Sequence, residues 1–224
     1  MPALQQMDDN TYLMDLGDDE NRFDLDWIAA CNQALDRLEA TNSPRALITV
    51  ASGKCWSTGL NLDWIGANPA LLNDLMIATH RLFARVLSLP VLTIAAIQGH
   101  AFAAGAMLAL AHDFRVMRGD RGYFCLPEVD LHLPFSPGMT ALITARLPRP
   151  VVHEAMTTGR RYGGDHAATA GLVHMATTED GLLPAATDLA RSMGGKDAKT
   201  LGTIKARLFA DALDVLTDDA ANTL

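Results

Sequence analysis

The chain has 224 residues, 49% of them hydrophobic and 20% charged, with a formal net charge of −8 at pH 7. That length supports one sizeable core or at most two small domains, and that composition excludes a disordered chain. The arginines are scattered, so no basic stripe for nucleic acid forms, and no run reaches the roughly 20 apolar residues of a membrane span.

Residues 11–17 (TYLMDLG) alternate and stop at glycine, which predicts a strand. Trp27, Ile28, Cys31, Leu35 and Leu38 then recur at three- and four-residue spacing. They predict an amphipathic helix, with Asp24 or Asp26 near its start. Residues 41–45 (TNSPR) break it, and 46–52 (ALITVAS) read as a buried strand. Residues 53–70 read as a loop rich in Gly, Ser and Asn. A long helix is expected over 71–88, with Leu75, Leu82 and Val86 inside and Pro90 at its end.

Residues 91–99 are a second buried strand, followed by the turn and apolar helix of 99–113 (GHAFAAGAMLALAHD). Strands are expected at 114–119 and 122–129, then a loop over 130–139 that closes into a helix at 140–147. A helix at 149–159, a loop and short helix at 161–171, a strand at 172–176 and a helical remainder broken at 194–199 complete the chain. Strand and helix alternate, so the fold class is α/β. The division is a core over 1–175 and a C-terminal helical region over 176–224 of the same domain. The N-terminus lacks the basic-then-apolar order of a secretory leader, and the expected location is cytoplasmic. Cys31, Cys55 and Cys125 share no metal-type spacing and read as small buried hydrophobes.

Two stretches share one design. STGLN (57–61) and FAAGA (102–106) each follow a buried strand and lead toward a helix. There, unpaired backbone N–H groups point into the crevice, and a small side chain lets a ligand oxygen reach them. Two such groups converging on one point make an oxyanion hole. Close helix–sheet packing is the alternative use of small residues at such a turn.

The ordered motifs ITVASGKCWSTGLNLDW, LPVLTIAAIQGHAFAAGAMLALAHDFRVM and GYFCLPEVDLHLPF, within roughly residues 44–175, resemble the enoyl-CoA hydratase/isomerase (crotonase) superfamily. The likeness is strongest to its single-glutamate Δ3,Δ2-enoyl-CoA isomerases. The resemblance implies a spiral of ββα units with two roughly perpendicular sheets and a C-terminal helical region. It implies a homotrimer or dimer of trimers, with 176–224 as a possible trimerisation extension. It implies an acyl-CoA thioester as substrate and no separate cofactor or metal, since CoA arrives as part of the substrate. The oxyanion donors it implies are the backbone N–H groups of Leu60 and Ala104, where the family usually has glycine in place of Ala104. Of the two hydratase glutamates, one position holds Met107 and the other Glu128.

One carboxylate suffices to move a double bond, because a single base can remove a proton from C2 and return it at C4. Glu128 is therefore the expected acid–base residue, with an apolar wall raising its pKa. Met107, Leu126, Phe135 and Trp64 are the expected wall. Ser57, Thr58 and Leu60 are expected to hold CoA through backbone groups. Lys54 and Arg22 are phosphate candidates by position, and Lys205 and Phe209 possible contributors to a neighbour's CoA pocket. Trp56 and Met76 read as core or pocket lining, His100 and His112 as structural.

Other readings are a Glu128–Asp130 carboxylate pair, a different crotonase-type thioester reaction, and a non-catalytic acyl-CoA-binding relative. A further one is a serine hydrolase. It would use Ser57 as nucleophile, Asp113 or Asp165, and His166 or His174.

Overall fold

The computed structural model describes residues 1–41 and 46–223. Strands β1 (Ala3–Gln6) and β2 (Thr11–Asp15) form an antiparallel hairpin. The short β3 (Arg22–Phe23) leads into helix α1 (Leu25–Glu39), which Asp24 caps by accepting from the Trp27 N–H at 2.8 Å. The chain break expected over 41–45 lies, apart from Thr41, outside the described residues.

Strand β4 (Ala46–Val50) is followed by β5 (Cys55–Ser57), β6 (Gly59–Leu60) and helix α2 (Leu62–Ala67). The stretch 53–70, expected to be loop, therefore carries two strands and a helix. Strands of two or three residues are too short to show a period of two, and α2 buries none of its residues, so neither element leaves a hydrophobic signature. Helix α3 (Leu72–Ser88) leads to β7 (Leu92–Ile97), β8 (His100–Phe102), α4 (Ala104–Ala111) and β9 (Phe114–Arg118).

The fourth expected strand, 122–129, is reduced to β10 (Phe124–Cys125), because Pro127 begins a turn. Helices α5 (Pro137–Arg146), α6 (Arg149–Thr158) and α7 (Gly164–Ala170) follow. Strand β11 (Met175–Thr177) starts three residues later than expected, since Leu172 and Val173 close the end of α7 and are fully buried there. Helices α8 (Glu179–Met193), α9 (Ala198–Leu208) and α10 (Ala210–Thr217) end the fold.

The largest sheet runs β1-β2-β4-β7-β9-β11, parallel except for the hairpin. A second sheet is β10-β8-β5, all parallel, and β3 pairs with β6. One face of the large sheet is covered by Leu182, Ala186 and Ala190 of α8, which pack on Leu13, Ile48, Ile94 and Val116. The main core lies on the other side, where α1, α3, α4 and α5 meet. No described helix is long and apolar enough to cross a membrane.

At the centre is α4, apolar on every side and buried over its whole length. Its C-terminal carbonyls cannot reach water. Arg115 donates to the carbonyls of Leu110, His112 and Leu172, and Arg146 to those of Leu110, His112 and Asp113. Burial pulls the Arg115 pKa down to about 9, so it still carries its charge at neutral pH. His112 lies in the interior, hydrogen-bonded to the Thr49 hydroxyl at 2.7 Å and the Leu108 carbonyl at 2.8 Å.

Lys205 and Phe209 are used inside the chain, which corrects their expected part in a neighbour's pocket. The buried Lys205 ammonium sits 2.9 Å from the Asp113 carboxylate, and the Phe209 ring packs under the Arg146 guanidinium. Asp113 also accepts from the Thr93 N–H and hydroxyl. Asp113→Ala strands a buried ammonium and is expected to cost about 3 kcal/mol in urea unfolding. Lys205→Met keeps the apolar stem and leaves Asp113 its Thr93 donors, so it is expected to cost less. The reverse order would remove the ion pair from this account.

Candidate active site

The turn between β8 and α4 is unusual. Ala103 is the N-cap of α4 and has φ 50° and ψ −128°, a conformation that L residues rarely adopt. It makes no side-chain cap bond, so the first-turn N–H of Ala104 has no acceptor within the helix. Across from it lies Gly59, at φ 87°. A Cβ on Gly59 would sit 2.8 Å from the Ala104 nitrogen, so only glycine allows β6 this close to the α4 N-terminus. Just after β6, the Asn61 N–H donates to the Phe23 carbonyl of β3 at 2.9 Å. The alternation of a strand turns the Leu60 N–H to the opposite side.

Gly105 supplies the packing use of a small residue. A Cβ there would lie 2.5 Å from the Ser57 carbonyl oxygen, so α4 rests directly on β5. Both features meet in one turn, close packing at Gly105 and a first-turn N–H without a helical acceptor at Ala104.

A cavity of about 110 Å³ opens at this point, lined by Thr58, Leu60, Leu62, Met76, Ala103, Ala104, Glu128, Leu131, Leu133, Pro134 and Met139. Leu60, Ala104, Thr58 and Glu128 thus share one wall system. Glu128 is 7% exposed. Its Oε2 is buried and has no hydrogen-bond partner among the described residues. Loss of hydration pushes its pKa up to about 7, against a small opposing effect of its own backbone N–H. The side chain stands on a tight turn in which the Glu128 carbonyl accepts from the N–H groups of Leu131 (3.1 Å) and Leu133 (3.0 Å).

The expected wall is corrected by the structure. Met107 is fully buried a turn further along α4, and Leu126 is likewise closed into the core before the Pro127 turn. Leu62, not Trp64, supplies the α2 wall, because residues two apart on a helix point in nearly opposite directions. Phe135 packs partly buried on the core, and Pro134 lines the cavity in its place.

Met76 lines the cavity, whereas Trp56 is buried core. Met139, Leu131 and Leu133 are wall residues that sequence reading passed over. The alternating leucines of DLHLPF, in a stretch too polar to be a buried strand, were the available signal.

Ser57 is fully buried, and its hydroxyl donates to the Asn21 carbonyl at 2.8 Å and accepts from the Gly59 N–H at 3.2 Å. It is a turn-holding hydroxyl, and no histidine bonds to it. His174 accepts from the Arg115 N–H, and His166 lies beside Arg160 and Tyr162. The serine-hydrolase arrangement is not assembled. Asp130 is exposed with its carboxylate against Gly159, so it does not pair with Glu128.

Thr58 also lines a second groove of about 540 Å³, whose walls carry both cations, Lys54 and Arg161, and acids, Asp18, Asp19 and Glu20, beside His100 and Phe102. Arg161 lies over the Phe102 ring, and His100 stacks on Tyr123. Arg22 is held by Glu20 and by Asp63 at 2.7 Å, which occupies the guanidinium expected for a phosphate. Cys31, Cys55 and Cys125 are buried, and burial pushes each thiol pKa up. Among the described residues, no three His, Cys, Asp or Glu side chains are grouped to hold a metal ion.

A buried carboxyl with one unpartnered oxygen thus shares a cavity with the first residue of α4 and the end of β6. Residues 10–222 match the family described as enoyl-CoA hydratase/isomerase, and the chain belongs to it. It is 32% identical over 234 residues to "Enoyl-CoA delta isomerase 3" of Arabidopsis thaliana, covering 100% of this chain and 98% of that protein. It is 32% identical to "Enoyl-CoA delta isomerase 2, peroxisomal" of the same plant, covering 96% and 95%. The fold superposes on a probable enoyl-CoA hydratase from Mycobacterium tuberculosis with a TM-score of 0.89 at 23% identity, covering 96% of this chain and 91% of that one. The chain thus has the crotonase fold, and it is an enzyme of the hydratase/isomerase type.

Two backbone predictions follow from the turn. Ala103→Gly relieves the positive φ and is expected to leave stability unchanged or raise it by about 1 kcal/mol. Gly105→Ala drives a Cβ into Ser57 and is expected to cost about 3 kcal/mol or more. Thermal unfolding of both variants tests the pair.

Proposed function

We propose that the chain is a Δ3,Δ2-enoyl-CoA isomerase that converts a cis- or trans-3-enoyl-CoA to the trans-2-enoyl-CoA. The observation that carries this reading is the Glu128 carboxyl. It is buried, has one oxygen without a partner, and has its pKa raised to about 7. A base with that pKa is partly ionised at neutral pH and keeps a proton once it has taken one.

The steps balance on this one group. Glu128 removes a proton from C2, and the electron pair of that bond is delocalised into a dienolate whose charge rests on the thioester oxygen. The N–H groups of Leu60 and Ala104 hold that oxygen. Loss of one such donor raises a barrier by roughly 3 kcal/mol. The pair then flows back, the C2=C3 bond forms, and C4 takes the proton from Glu128. Conjugation with the thioester carbonyl favours the product.

Hydration calls for a second carboxylate to share the activation of water. The resemblance places that residue at position 107, which is a fully buried methionine. The CoA arm passes Thr58, which lines both the cavity and the groove of Lys54 and Arg161, whereas Ser57, expected beside it, is fully buried.

Purified protein is expected to convert 3-enoyl-CoA to 2-enoyl-CoA and to leave 2-enoyl-CoA unhydrated. Glu128→Gln is expected to lower kcat about 10³-fold while acyl-CoA still binds. Hydration of the 2-enoyl thioester, or full activity in the variant, would overturn the reading. In the pH profile, kcat/KM is expected to fall as acidity rises through an apparent pKa near 7, because the base must be ionised.

The same group links activity to stability. An acid whose folded pKa lies above its unfolded value costs nothing below the unfolded pKa, near 4.5, and its full penalty above about 7. Glu128→Gln is therefore expected to stabilise the fold by about 2–3 kcal/mol at pH 8 and by little at pH 4. Denaturant unfolding at the two pH values measures the difference.

A further inference from the structure

The cavity is too small for most acyl groups. A dry cavity of about 150 Å³ takes one benzene ring, six carbons. By that measure the cavity of about 110 Å³ beside Glu128 takes roughly four carbons, enough for the reacting segment from the thioester carbon to C4. Its floor is closed by Met76 and Met139, both nearly fully buried. On the side of Thr58 it adjoins a groove that Lys54 and Arg161 share with Asp18, Asp19 and Glu20. The remaining side is formed by leucines that a soluble surface does not need. Leu62 is 52% exposed, and Leu131 and Leu133 are each 46% exposed, yet all three line the cavity.

We propose that the distal part of the substrate's acyl chain leaves the cavity across the rim made by Leu62, Leu131 and Leu133, and that this rim makes the protein selective for medium- and long-chain acyl thioesters over short ones. The proposal rests on the acyl-CoA reading of the site. The occupant follows from continuity, because the same three side chains are cavity wall at one end and exposed surface at the other.

Geometry adds a second reason. Leu131 and Leu133 belong to the turn whose N–H groups both bond to the carbonyl of Glu128. A chain lying on these leucines covers the mouth through which water reaches the carboxyl, and it braces the turn that aims it. A fully buried methylene is worth about fourfold in affinity, and one covered on a single side about twofold. Six methylenes on the rim therefore correspond to about 60-fold.

The test is a titration of the protein with butanoyl-, hexanoyl-, octanoyl- and decanoyl-CoA, alongside kcat/KM for 3-enoyl-CoAs of increasing length. Both are repeated with the Leu131→Ser, Leu133→Ser double variant and with Leu62→Ser. Circular dichroism and thermal unfolding report whether each variant is folded, and light scattering reports its size. The expected result is affinity rising about twofold per methylene beyond butanoyl-CoA, with that slope at least halved in both variants.

A flat series in the unaltered protein, or the same slope in all three proteins, would overturn the proposal. A changed particle size with the slope unaltered would also overturn it, by assigning the leucines to contact between copies of the chain. The binding series is independent of turnover. A slope in binding with no conversion of any 3-enoyl-CoA would keep the rim and remove the isomerase reading. Conversion without a slope would do the opposite.

Discussion

The constraint on which the rest of the structure depends is the burial of α4. An eight-residue helix is marginal by itself, and this one has no polar face. Inside the core its end groups still need partners, since water is excluded. At the C-terminal end Arg115 and Arg146 supply them, and the cost of burying two guanidinium groups is offset by a concentrated set of charge-assisted bonds to carbonyls. Two cations at that end also complement the helix dipole. Nothing comparable is done at the N-terminal end. Ala103 gives no side-chain oxygen, and Ala103 and Ala104 line the cavity. The helix is thus satisfied by side chains at its C-terminal end and has no side-chain cap at its N-terminal end.

Glu128 shows the same asymmetry. Nearly every buried polar group in this fold has a partner: Lys205 has Asp113, His112 has Thr49, His80 has Ser136, and Ser57 has Asn21. Glu128 Oε2 is among the few that do not. A carboxyl buried without a cation is destabilising in proportion to its pKa shift. That cost sits in a tight turn whose backbone is well bonded, so the chain tolerates it locally. The contrast with Asp113 is direct. Both are carboxylates close to the core, but Asp113 is neutralised by a lysine and two threonine donors and has no chemistry left to offer.

Much of the scaffold was legible in the residues. β4 and β7 are largely apolar runs with β-branched members, and α1 and α3 carry a clean helical period. Glu128 and the small-residue turns were legible through ordered motifs, since a lone glutamate in a loop reads as solvated. What escaped has physical reasons. β5, β6 and β10 have two or three residues each, too few for any period. β1 lies in a polar stretch with one buried residue. Met107, Leu126, Phe135 and Trp64 were apolar and close in sequence to the site, but proximity along the chain does not say which face a side chain presents. Lys205 was read as a contributor to a neighbour's CoA pocket because its partner lies far away in sequence, and a burial that depends on a distant Asp113 leaves no local trace.

Alanine at 103 and 104 is where packing and chemistry trade against each other. Glycine at 103 would accept the positive φ without strain. It would also remove a methyl from the cavity wall and free the backbone of the very segment that presents an N–H donor. Alanine holds the turn in one geometry, strained but filled, between the immovable contacts of Gly59 on one side and Gly105 on the other. Preorganised donors stabilise a developing charge because they need not reorient as it forms. A stiff alanine turn, braced by two glycines that let β5 and β6 approach, is consistent with that demand. The adaptable part of the cavity is lined by Met76 and Met139, whose unbranched side chains can adjust their shape.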